Sequence, residues 1–184
     1  FDKNFEISFE KHINENKPVL FLLGLDDIND AILKDAFVVY IGHHGDKIAN
    51  FADIILPSPA FPEKSSTFVN TEGRVMQTTK CFHPLGDSKD EWKIFRVLSN
   101  KYKNNLNFNN IGELRKEIIK NYPFLRELYK LPENKTLNFG LSEDLKSKKI
   151  NYNISNFYMT DPISRSSETM AKCSIEILNK AKAI

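Results

Sequence analysis

Val19-Leu20-Phe21-Leu22-Leu23-Gly24, Phe37-Val38-Val39-Tyr40-Ile41-Gly42 and Asp53-Ile54-Ile55-Leu56-Pro57 are three apolar runs of strand length. Each is unbroken rather than alternating, the pattern of a strand buried on both faces of a parallel sheet. The stretches between them are roughly a dozen residues long, near the minimum for a crossover joining parallel strands. The first, Asp26 to Asp35, reads as a short helix with Ile28, Ile32 and Leu33 on one side, and His44 to Phe51 reads as another. The order β-α-β-α-β predicts an α/β protein built on a partial doubly wound, Rossmann-like parallel sheet. The three strands are expected to be neighbours in that sheet.

Outward from the sheet the pattern changes. Residues 1–17 are polar and charged and read as a leading loop or short surface helix. Pro57, Pro59 and Pro62 interrupt regular structure before Glu63. Thr67–Asn70 and Arg74–Gln77 then read as two short strands around the turn Thr71-Glu72-Gly73. Ser88 and Glu91 have the spacing of a capping box, and Trp92, Phe95, Leu98 and Tyr102 follow at helical intervals. Asn110, Glu113, Leu114, Ile118 and Tyr122 mark a second helix, stopped by Pro123. A third is expected from Ser164 to Lys182, with Met170, Cys173, Ile177 and Ala181 on one face. The chain divides on this reading into an α/β portion at 1–131, a Lys-, Asn- and Ser-rich linker at 132–155, and an extended docking tail and helix at 156–184.

Lys and Arg number 26 against 24 Asp and Glu, a formal charge of +2, and no basic stripe of the kind nucleic-acid binding requires is present. The longest apolar runs fall far short of the ~20 residues a membrane-spanning helix needs. Cys81 and Cys173 stand far apart, whereas a cluster or structural zinc takes about four ligands; both read as reduced thiols. The chain opens at Phe1 without Met, which leads us to expect a processed chain, a split subunit or the ordered part of a longer one.

Two stretches carry candidate chemistry. Gly42-His43-His44-Gly45-Asp46 follows a strand at its carboxyl end, where open α/β sheets bind ligands, yet adjacent histidines rarely chelate one metal and the glycines form no dinucleotide or phosphate loop. A strand-to-helix turn is the reading favoured. His83 lies two residues from Cys81, too few ligands for a site. Glu63, Asn70, Glu72 and Arg74 form the second set: either they orient an anion, or Arg74 pairs with a carboxylate while Asn70 holds a turn. The second alternative is favoured, because no nucleophile, base or metal set accompanies them, and no GxSxG elbow is present.

The stretch Ala52–Pro57, then Glu63-Lys64-Ser65-Ser66-Thr67-Phe68-Val69-Asn70-Thr71-Glu72-Gly73-Arg74-Val75-Met76-Gln77, resembles the hallmark segment of the molybdopterin oxidoreductase family. Many members place Gly before the Thr, where this chain has Ser66. Tyr40–Lys47, Asp90–Ile94 and above all Phe157-Tyr158-Met159-Thr160-Asp161-Pro162-Ile163-Ser164-Arg165, continuing to Cys173, are similar to the large iron–sulfur subunit of respiratory complex I. That resemblance implies the last part of a domain that has lost its cofactor and persists as structure. It implies iron–sulfur clusters in an N-terminal half of the subunit, none of them on Cys81 or Cys173. It also implies peripheral-arm subunits and that cluster-bearing half as partners, and a place on the matrix side of the mitochondrial inner membrane or the cytoplasmic side of a bacterial one. No residue here is assigned a catalytic, cofactor-binding or metal-ligating role. The competing expectations are a fragment of an active, formate dehydrogenase-like molybdopterin enzyme and a stand-alone interaction domain.

Overall fold

The computed structural model describes residues 19–25, 28, 33–103, 105–133 and 156–178. The three apolar runs form strands β1 (Val19–Leu23), β2 (Phe37–Gly42) and β3 (Ile54–Pro57). They pair in the order β1-β2-β3, both pairings parallel, with Val19 opposite Phe37 and Val39 opposite Ile54. Asp53 stands just before β3. Its backbone N–H donates to the Val38 carbonyl at 2.9 Å, and its carboxylate accepts the Val38 N–H at 2.7 Å, fixing the register. The mixed α/β architecture expected from the sequence is the one observed.

Burial on both faces holds for β2 alone. Val38, Val39, Tyr40, Ile41 and Gly42 are buried, whereas Val19, Phe21, Leu23, Ile54 and Ile55 are exposed. The reason is topological. Strands β1 and β3 each have only one hydrogen-bonded neighbour among the described residues, so only the central strand is flanked on both sides. The core forms where both connections pack against one face: Leu22, Leu33, Val38, Tyr40 and Ile48 cluster there, with Leu20, Leu25, Ile28 and Ala49 against them. Most of the Asp26–Asp35 helix lies outside the described residues. The second connection is a single turn, α1 (Asp46–Ala49), whose Ile48 enters the core.

A 3-10 turn at Phe61–Glu63 takes in Pro62, and the N–H of its cap residue Ala60 donates to the Glu63 carboxylate at 2.9 Å. Strands β4 (Thr67–Val69) and β5 (Val75–Gln77) make the expected antiparallel hairpin, with Gly73 at φ +84°, a conformation that glycine adopts without strain. Helix α2 runs Glu91–Ser99 with Asp90 at its N-cap, two residues later than the Ser88 cap predicts. Ser88 belongs to the preceding turn, its hydroxyl donating to the Leu85 carbonyl at 2.9 Å, and Glu91 is drawn to Lys64 instead of closing a capping box. Helix α3 (Ile111–Asn121) starts as read: the Asn110 side chain accepts the Glu113 N–H at 2.9 Å. A 3-10 turn at Pro123–Arg126 leads the chain back to the hairpin, where Tyr129 donates its N–H to Val75 and its hydroxyl to Gln77.

The single helix expected from Ser164 to Lys182 is broken. Asp161 caps a short turn, α4 (Pro162–Arg165), and Ser167 caps a second, α5 (Glu168–Cys173), which continues as π-helical turn through Leu178. Ser166 and Ser167 compete for backbone groups that one continuous helix would use. Residues 179–184, and with them Ala181, lie outside the described residues, as do residues 1–17 and most of the expected linker.

Candidate functional site

In an open α/β sheet the carboxyl ends of the strands are where loops converge on a ligand. Here that end is formed by Gly24 after β1, the His43–Asp46 loop after β2, and the segment from Lys64 to Thr67. Gly42 is required at its position, since a Cβ there would run into the Tyr40 hydroxyl. Gly45 and Asp46 then both take positive φ, +73° and +51°, which turns the chain sharply into α1. Asp is among the few non-glycine residues that tolerate this conformation.

His43 and His44 meet through their own rings. The two Nδ1 atoms are 2.7 Å apart and the rings nearly perpendicular at 87°, so one nitrogen carries a proton for the other to accept. Partial desolvation by the atoms packed around the ring, with His44 and Lys64 adding to it, pushes the His43 imidazole below its ordinary range although its outer edge meets solvent. The pair is exposed, and among the described residues no three His, Cys, Asp or Glu side chains are placed to hold a metal ion. Cys81 and His83 are both exposed in an irregular segment that bends at Phe82; the Cys81 thiol lies 3.8 Å from the Thr79 carbonyl.

The Glu63, Asn70, Glu72 and Arg74 set is built as a turn. Asn70 Oδ1 accepts the N–H groups of Glu72 (3.0 Å) and Arg74 (2.9 Å), holding both arms of the hairpin loop. Arg74 donates to the Tyr129 carbonyl at 3.1 Å and lies 3.7 Å from Glu72, a loose and exposed contact. Glu63 is not its partner; that carboxylate is occupied by the Ala60 N–H.

Four features had no local signal in the sequence. Lys64 pairs with Glu91, joining the segment after the prolines to the first turn of α2. A cleft of about 460 Å³ opens beside this pair, between Gly24, Ser66, Trp92, Phe95, Leu114 and Arg115. Arg115 donates from its terminal nitrogen to the Ser66 carbonyl at 3.3 Å, while its Nε is buried without a partner. Arg165, from the tail, donates its Nε to the Asp46 carboxylate at 2.6 Å, across a separation of 119 residues. The C-terminal segment is thereby anchored to the loop at the carboxyl end of β2.

The fold class is mixed α/β, a parallel sheet of order β1-β2-β3 followed by a hairpin with an Asn-held turn. Residues 2–101 match the family model described as molybdopterin oxidoreductase, and the chain belongs to that family. Residues 127–173 match a second model, which describes the C-terminal region of the G-type subunit of NADH-ubiquinone oxidoreductase. The chain is similar to the mitochondrial NADH-ubiquinone oxidoreductase 78 kDa subunit of Candida albicans, at 44% identity over 84% of this chain and 23% of that protein. It is 39% identical to the G-type subunit of NADH-quinone oxidoreductase from Rickettsia bellii, over 94% of this chain and 25% of the relative. With the NADH-ubiquinone oxidoreductase 75 kDa subunit of Reclinomonas americana it shares 40% identity, over 86% of this chain and 23% of the relative. The chain therefore spans about a quarter of the length of the curated relatives it matches.

Proposed function

We propose that this chain is a structural, cofactor-less part of the large iron–sulfur subunit of complex I, supporting electron transfer from NADH to ubiquinone without carrying the electrons itself. The observation that carries the reading is its likeness, across 84–94% of its length, to proteins named as NADH-quinone and NADH-ubiquinone oxidoreductase subunits. Its partners are then other peripheral-arm subunits and the cluster-bearing half of the same subunit. Its place is the matrix face of the inner membrane, or the cytoplasmic face in a bacterium. No helix among the described residues is long and apolar enough to cross a membrane.

Support for the absence of a molybdopterin group comes from the donor set at the sheet's carboxyl end. A bulky anionic cofactor requires donors left open to it. Of the cationic donors, Lys64 is engaged by Glu91, Arg74 by the Tyr129 carbonyl and the terminal nitrogen of Arg115 by the Ser66 carbonyl, which leaves the Arg115 Nε as the one buried donor without a partner among the described residues of the cleft. The cleft has an apolar wall of Trp92, Phe95, Leu114 and Ile118 facing a polar one of Lys64, Ser65, Ser66, Thr67, Glu91 and Arg115. A single open donor beside an apolar wall is a poor match for so large an anionic group, which supports the cofactor-less reading, and no step is assigned to one.

Affinity purification of the tagged chain from its native membranes tests the reading. The expected result is co-migration with a many-subunit assembly that oxidises NADH, holding iron but no molybdenum. A chain that purifies alone, or stoichiometric molybdenum in the assembly, would overturn it.

A further inference from the structure

The cleft beside the Lys64–Glu91 pair holds a cation that the described residues leave without a counter-ion. Lys64 and Glu91 satisfy each other, so their charges cancel. Arg115 has no carboxylate partner among the described residues: a terminal nitrogen donates to the Ser66 carbonyl, and Nε is buried with no acceptor. The side chain is half-buried, reaching from α3 to the residue just before β4. Water screens such a charge less than it would a free surface group, and a donor shielded from water without a partner is costly. Trp92 and Phe95 from α2, with Leu114 and Ile118 from α3, form the apolar wall, and all four are only partly buried. At about 460 Å³ the cleft is within the range that takes a small organic ligand, and it lies at the carboxyl end of the sheet.

We infer that this cleft binds a small amphipathic monoanion, a carboxylate carried on an aromatic body, with its charge on Arg115 and its ring against Trp92 and Phe95. The inference rests on the cofactor-less reading above. A guanidinium presents its donors as a planar fork that matches the two oxygens of a carboxylate. With a terminal nitrogen held by Ser66, the Nε side of that fork is still to be met. A phosphate-like dianion suits the site less. It brings a second charge for which the cleft offers no second open cation, and the Glu91 carboxylate stands nearby. An inorganic anion would leave the apolar wall wet, and a neutral ring would leave Arg115 unpaired. Aromatic rings add offset or edge contacts with Trp92 and Phe95 beyond the area they bury. Each half of the ligand therefore answers one wall of the cleft.

Photolabelling of the chain within the assembly from which it is purified gives the test, with para-azidophenylacetate as the probe and peptide mass mapping as the readout. Adducts are expected on α2 and α3, reduced at least tenfold by excess phenylacetate and not by phenylacetamide or inorganic phosphate. In the Arg115→Gln assembly the same adducts should fall at least tenfold. The inference is overturned by the absence of adducts on α2 and α3, by equal competition from phenylacetamide or phosphate, or by undiminished labelling of Arg115→Gln. Should that variant fail to assemble, the competition series on the wild-type assembly decides alone. Molybdenum in the same preparation is measured separately. The cofactor-less reading can thus fail on the metal while the cleft is scored on the probe, and the cleft can fail while that reading stands.

Discussion

Strand β2 and the C-terminal segment 156–178 are held by opposite means. Five consecutive residues of β2 are buried, and Val38 and Ile41 are wholly inaccessible. In the tail no described residue is buried; Phe157 is 65% exposed and Ile177 50%. Polar geometry holds it instead: Asp161 and Ser167 cap the two turns, Asn156 donates to the Ser174 hydroxyl at 3.0 Å, and Arg165 reaches back to Asp46. Apolar burial is non-directional and tolerates detail, whereas a caps-and-ion-pair structure depends on each hydrogen bond and on the charge state of its members. One chain thus combines a part that fails by losing volume with a part that fails by losing a partner.

The contrast is broken most forcefully by one substitution made in both places. Ile41→Ala deletes wholly buried methyl groups and should cost about 2–5 kcal/mol in denaturant unfolding. Ile177→Ala, in the tail, should stay within about 0.5 kcal/mol; a comparable loss there would show the tail to be apolar-anchored after all. Next in size is Arg165→Ala. Both members of its pair are shielded, at 28% and 19% exposure, so losing a charge-assisted bond should weaken the tail by about 2 kcal/mol. Hydrogen exchange should accelerate across 156–178 and not in β2. Asp46→Asn should produce much of the same effect, and the double variant little more than either alone.

Asn70→Ala tests the hairpin, which lies between these extremes. It strips the acceptor from two N–H groups at once and should destabilise β4–β5 by about 1 kcal/mol, with Asn70→Asp retaining the acceptor and most of the stability. Arg74→Ala should cost less than about 1 kcal/mol, because its ion pair with Glu72 is loose and solvated. Thermal unfolding of the three variants separates these outcomes.

What the sequence made legible follows the same division. Strand positions and their parallel order came from contiguous apolar runs and crossover lengths, which are local quantities. The Asn70 turn was likewise written in a few adjacent residues. Which strands are buried on both faces was not legible, since burial depends on how many neighbours the finished sheet supplies. The Ser88 cap misled because Glu91, the other half of the box, was taken by Lys64 from another part of the fold. In the tail, periodicity suggested one helix, but Ser166 and Ser167 gave the backbone better partners than helix continuation did. The Arg165–Asp46 pair could not have been read at all. Its two halves sit 119 residues apart, and nothing near either one names the other.

The smallest expected effect is the one that depends on pH. Asp161 accepts the N–H groups of Ile163 and Ser164 at 2.9 and 3.1 Å and the Ser164 hydroxyl at 2.8 Å. The backbone and hydroxyl bonds from Ser164, in that order of weight, hold its carboxyl below the ordinary 3.8. A carboxylate favoured in the folded state binds fewer protons there than when unfolded, so its contribution is fully present above about pH 4 and declines as pH falls through the lower folded value. Amide shifts of Ile163 and Ser164, followed by NMR from about pH 6 down to about pH 2, should therefore move together with a midpoint below 3.8. Asp161→Asn keeps one acceptor oxygen and removes the titration, so it should flatten both curves while leaving the turn largely formed. If the wild-type shifts moved instead at or above 3.8, the cap would be solvated in solution. The tail would then rest on the Ser167 cap, the Asn156–Ser174 bond and the Arg165–Asp46 pair, and its contrast with β2 would narrow to those contacts.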